Sequence, residues 1–162
     1  MYRIVAFAVF MMLMVSSAQA LQPREGWVIQ HSQKPFDLLL ADLKQAVTDN
    51  KMGLVTEAGP TAAAASRGVE LPGNRVVGVF RVDFAIRILP LSEAAMIEAP
   101  IRFYVTEDPD GGATLSYKAP SFVFSPYLSE GGEGLAEVAS ELDAIFSRIA
   151  EKAIQLTSYT QP

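Results

Sequence analysis

Arg81, Asp83, Arg87, Glu98, Arg102 and Tyr104 put three guanidiniums, two carboxylates and a phenol into one short stretch of chain. A planar guanidinium grips a carboxylate or another oxyanion through two parallel hydrogen bonds, and a nearby ring can stack on or wall an apolar body. The set has two readings. In one, Arg87 or Arg102 pairs with Glu98 and fixes an irregular connection between strands. In the other, Arg87, Glu98, Arg102 and Tyr104 line a pocket for a small anionic or amphipathic ligand. The structural reading ranks first, because ion pairs of this kind form without any ligand.

The remaining reactive residue types are sparse. His31 is the single histidine, so a His-based metal site or a Ser-His-Asp triad would rest on it entirely. No Gly-x-Ser-x-Gly is present to make the adjacent Ser32 a nucleophile, and no sequence neighbour supplies a partner. We therefore expect His31 to be a packed or exposed histidine without a catalytic role. Glu107-Asp108-Pro109-Asp110-Gly111 holds three carboxylates, but the distal glutamate of a calcium loop is missing, and a solvated hairpin turn is the expectation. Gly131-Gly132-Glu133-Gly134 ahead of a helix could cradle an anion, yet Glu130 and Glu133 would repel it. With no cysteine, the chain has no disulfide, thiolate metal site, lipidated cysteine or cysteine nucleophile. No catalytic residue, metal ligand or cofactor is assigned. A net charge of −5 without a basic run argues against nucleic acid as a partner.

The elements that would position these residues follow from hydrophobic periodicity. Met1 to Ala20 is a signal peptide by pattern: Arg3, an apolar run from Ile4 to Val15, and the small-residue site Ala18-Gln19-Ala20. The run is too short to span a bilayer, so the expectation is cleavage after Ala20, a periplasmic or secreted address, and no stable membrane insertion afterwards. Residues 21–26 form a polar arm, 27–155 a single domain and 156–162 a tail. Trp27 to Gln30 reads as a first strand. Phe36, Leu39, Leu40, Leu43 and Val47 mark an amphipathic helix entered at Pro35 and left at Lys51 to Gly53. Leu54 to Ala58 is a short strand, Thr61 to Arg67 an alanine-rich helical turn stopped by Gly68, and Val76 to Val82 a strand interrupted by Gly78. Phe84 to Leu91 has both helical and extended readings, while Ser92 caps a helical turn to Ile97.

Ile101, Phe103 and Val105 alternate with Arg102, Tyr104 and Thr106, and Leu115 and Tyr117 oppose Thr114, Ser116 and Lys118 across a turn, which predicts a hairpin. By parity Arg102, Tyr104, Ser116 and Lys118 lie on the uncovered face, with Tyr117 in the core. Pro120 to Gly134 reads as a loop, and Leu135, Val138, Leu142, Ile145, Ile149 and Ala153 mark a long C-terminal helix. The order strand, helix, four strands, helix predicts an α+β two-layer sandwich, a mostly antiparallel sheet with two long helices on one face.

Pro35-Phe36-Asp37, Lys51-Met52-Gly53, Ala62 to Gly68, the strand ending at Phe80, and Ala99-Pro100-Ile101-Arg102-Phe103 running to Glu107-Asp108 and Asp110-Gly111 resemble domain-of-unknown-function family 302 over residues 27–154. The resemblance implies a fold similar to the TATA-box-binding-protein-like arrangement and carries no established general activity. Many members have Gly-Asn-Pro after the phenylalanine that ends the third strand, where this chain has Arg81-Val82-Asp83. Three functions remain open. The first is a non-catalytic binding or accessory module using the open sheet face. The second is a homodimeric or partner-binding protein without a small ligand. The third is an enzyme of unknown class built from carboxylates, arginines and tyrosines.

Overall fold

The computed structural model describes residues 21–155; the signal-peptide reading of Met1 to Ala20 and the tail fall outside them. Five strands, β1 (Trp27–Ser32), β2 (Gly53–Ala58), β3 (Asn74–Phe80), β4 (Ile101–Glu107) and β5 (Ala113–Lys118), form one sheet in the order β1-β5-β4-β3-β2. Every pairing is antiparallel. Between and after them run α1 (Phe36–Asp49), α2 (Thr61–Ala65), α3 (Val82–Ile88), α4 (Pro120–Phe124) and α5 (Leu128–Ile154), with 3-10 turns at Ala94–Glu98 and Ser125–Tyr127.

The alternation in β4 sets the layers. Phe103 and Val105 are fully buried and Ile101 nearly so, while Arg102 between them is exposed. On the covered side α1 brings Leu39, Leu43 and Val47, and α5 brings Leu135, Phe146 and Ile149. Phe103 stacks on Phe146 with ring centroids 4.5 Å apart and meets Tyr117 edge-on at 5.2 Å, so the aromatic centre of the core joins both hairpin strands to α5. Lys34, 3% exposed, ties the layers at their other end. Its Nζ donates to Asp42 Oδ2 at 2.5 Å and to the Ala153 carbonyl at 2.7 Å, a cation placed where the last turn of α5 leaves carbonyls unpaired.

Two expectations change. The third strand stops at Phe80 instead of running to Val82, because Arg81 is the extended residue before α3 and Phe84, Ala85 and Ile88 then turn inward at helical spacing. The segment Pro120 to Gly134 is helical, not a loop. Pro120 and Phe124 are buried as α4 packs on α5, and α5 itself begins at Leu128. Of its glycines only Gly132 breaks the helix, with φ 53° and ψ −146°, a conformation that side chains with a Cβ rarely adopt. Ser92 caps as expected: its Oγ accepts from the Ala95 amide at 3.2 Å.

Candidate functional site

Strand register fixes what stands together on the face turned away from α1 and α5. Trp27 lies opposite Lys118, and Arg102 opposite Gly78, with Arg102 and Lys118 each one residue beyond the paired Phe103 and Tyr117. The next row holds Ile29, Ser116, Tyr104 and Val76, and the third His31, Thr114, Thr106 and Asn74. Rows are two residues, roughly 7 Å, apart. The face is less open than parity alone implies, since Ser116 and Thr114 are fully buried. Both are small side chains on a strand flanked on each side, and Ser116 lies between the larger Ile29 and Tyr104 of the adjacent strands.

Over the first two rows, and reaching Asn74 in the third, runs a groove of about 570 Å³ whose far wall is α4 and the 3-10 turn that follows it. Its floor and walls combine Arg102 and Lys118 with Trp27, Tyr104, Val76 and Phe122. Arg102 is exposed and has no hydrogen-bond or ion-pair partner among the described residues. Lys118 Nζ sits 5.9 Å from the centre of the Trp27 ring, and the Arg24 guanidinium is 5.7 Å from it. The Tyr104 hydroxyl accepts a hydrogen bond from Asn74 Nδ2. The wall holds its place through backbone as well as side chains. Ala119 N–H donates to the Gly26 carbonyl at 2.8 Å, and the Phe122 ring lies where a side chain on Gly26 would have to go.

Three of the four residues read as ligand-binding from sequence, Glu98, Arg102 and Tyr104, line this groove; Arg87 does not. Arg87 makes a bidentate pair with Glu141 of α5, at 2.7 and 2.6 Å, and lies 5.7 Å from the Phe84 ring. That hydrogen-bonded pair pushes the Glu141 carboxyl below its ordinary range and the Arg87 guanidinium above. Nor does an arginine hold Glu98. Its Oε1 accepts from the Tyr127 hydroxyl at 2.8 Å, and that bond, with burial second, raises the Tyr127 phenol. Arg81 stacks 4.3 Å over Phe84, with Nε 3.7 Å from Asp83. The charge cluster of the sequence is thus two clusters, separated because the β3–α3 junction turns Arg81 and Arg87 to the helical side.

Sequence reasoning missed Trp27, Phe122 and Asn74. Parity along β1 puts Trp27, Ile29 and His31 on one face, but only the pairing of β1 with β5 shows that this face carries Lys118. It also missed the company of His31. Thr114 Oγ1 donates its one proton to Asp108 Oδ2 at 2.6 Å and so must accept from His31 Nδ1, 2.8 Å away. Nδ1 therefore carries a proton, with Asp108 Oδ2 3.5 Å away as a second, longer partner, and Nε2 is turned away from this network on a residue whose side chain is 59% exposed. Thr114 itself is fully buried and cannot serve as a nucleophile. Among the described residues no three His, Asp or Glu side chains converge as a metal site would require.

The groove holds two cations, a phenol hydroxyl, apolar walls and one carboxylate, Glu98, already engaged by Tyr127, an arrangement able to bind and orient a molecule with an anionic end. Comparison with known proteins places the fold. No curated protein matches the chain. The crystal structure of an uncharacterized conserved DUF302 protein from Bacillus stearothermophilus superposes with a TM-score of 0.69 at 11% sequence identity, covering 80% of this chain and 99% of that one. The similarity at that identity is one of fold. The family model for the domain of unknown function DUF302 matches residues 28–153, and the chain belongs to that family.

Proposed function

We propose that the protein is a non-catalytic binding module, exported by the Met1 to Ala20 signal, which takes a small amphipathic anion into the open-face groove. The observation that carries the reading is the unpartnered guanidinium of Arg102 in a groove walled in part by Trp27, Val76 and Phe122, where the one lining carboxylate, Glu98, is held by the Tyr127 hydroxyl. An arginine without an ion pair beside apolar surface gains most from an anion that brings its own hydrophobic body, because both costs of exposure are relieved together. The chain as a whole repels anions at a net charge of −5, so the local cations must supply the selectivity.

The test is a fluorescence titration with anilinonaphthalene sulfonate, an aromatic anion, competed by decanoate. Arg102→Ala is expected to weaken the dye about ten- to a hundredfold, in line with a charge-assisted hydrogen bond of about 1.5 to 3 kcal/mol, and Lys118→Ala by a smaller factor. Equal affinity in both variants and the parent would remove the reading. A second reading, self-association over the same face, is favoured by an apolar rim. Ile97, next to Glu98, is 80% exposed, and Phe122 on the wall is 38% exposed. Sedimentation showing a dimer that excludes the dye would favour that second reading instead.

A further inference from the structure

The groove has a second polar end. Tyr104 stands one row beyond Arg102, and its hydroxyl points toward Asn74 in the row after that. A phenol offers one donor and accepts through its oxygen. With the Asn74 amide turned so that Nδ2 faces the phenol, the acceptor side is taken and the hydroxyl proton has no acceptor among the described residues. The pair therefore fixes the phenol oxygen and leaves its proton to be given away. Tyr104 and Asn74 both line the groove, between roughly 7 and 13 Å from the cationic row along the strand direction.

Resting on the groove reading above, we infer that Tyr104 is a specificity-determining donor. The preferred ligand is an elongated acid whose head meets Arg102 and Lys118 and whose chain carries a second, acceptor oxygen that takes the Tyr104 proton. A wholly hydrocarbon tail would leave that donor unpaired in a half-buried site, which is where a missing partner discriminates most sharply.

The probes are decanoate and its isostere ω-methoxyoctanoate, in which one ether oxygen replaces one methylene. The ether accepts a hydrogen bond and cannot donate one. Affinities of both are measured by calorimetry for the parent, Tyr104→Phe, Asn74→Asp and Arg102→Ala. The ratio of the two affinities is the readout, since differences in tail hydration cancel between proteins. The ratio is expected to move about fivefold against the ether in Tyr104→Phe, the size of one neutral hydrogen bond, with decanoate affinity nearly unchanged. Asn74→Asp should move it the same way, because the phenol then donates to the new carboxylate. An identical ratio in the parent and Tyr104→Phe overturns the inference while leaving the groove intact. Affinities of both acids that ignore Arg102→Ala, or absence of binding by either acid, overturn the inference together with the binding function.

Discussion

At the scale of single residues, the fate of His31 shows how partners absent from the sequence neighbourhood change a side chain's meaning. Asp108 and Thr114 are far from it in sequence, yet the β1–β5 pairing sets Thr114 directly opposite and the hairpin returns Asp108 to its side. The Asp108 side chain is 12% exposed, so its carboxylate depends on the Thr114 hydroxyl where water reaches poorly. Thr114→Val, which keeps the shape and removes the hydroxyl, should lower unfolding stability by about 1 to 3 kcal/mol, the cost of leaving a poorly hydrated carboxylate with only the 3.5 Å approach of His31 Nδ1. Nitrogen chemical shifts of the neutral imidazole should report Nδ1 as the protonated nitrogen in the parent and a larger share of the Nε2–H tautomer in the variant, where only the longer contact to Asp108 holds the Nδ1 proton. A parent already mixed would mean that the Thr114 bond does not fix the ring.

At the scale of elements, strict periodicities were readable and junctions were not. Phe36 to Val47 and Leu135 to Ala153 each carry a stripe on one helical face, and Ile101 to Val105 strict alternation, so these elements and their buried faces stand as expected. Val82 belongs by composition to the strand before it. Only the inward packing of Phe84 and Ile88 draws it into α3, and with that turn Arg87 leaves the groove for Glu141. The three glycines after Leu128 weaken any helical pattern, yet Gly131 is buried close to Leu135 and only Gly132 needs its freedom. Gly132→Ala should therefore cost about 1 to 3 kcal/mol through its positive φ, whereas a change at the exposed, helical Glu133 should cost little. Urea unfolding of the two variants separates them; equal, small losses would mean that the kink relaxes without strain. If Gly132→Ala straightens α5, the groove wall formed by α4 and the following turn should shift too, and dye affinity should fall with stability.

At the scale of the whole molecule, the sheet, the groove and α5 share one pivot. Tyr117 is paired with Phe103 in the ladder and meets both Phe103 and Phe146 in the core, while its strand continues directly into Lys118 at the groove. Burial raises the Tyr117 phenol from 10.0 to about 12, with the charges of Asp143 and Glu151 acting in the same direction. The folded chain thus holds this proton more tightly than the unfolded one. Its contribution is complete below pH 10.0, where the unfolded phenol is still neutral, and drains away as pH rises toward about 12. Tyr127, raised by its bond to Glu98, adds to the same trend from the groove side. Urea midpoints measured from about pH 9 to about pH 12 should therefore fall steeply in the parent. Tyr117→Phe should flatten the decline while keeping the aromatic packing, and Tyr127→Phe should flatten it less. Because Lys118 is the residue after Tyr117, the parent should also lose dye affinity as its core loosens, and Tyr117→Phe should retain it to higher pH. A parent and a Tyr117→Phe variant with the same alkaline slope would show that the core phenol does not couple to folding.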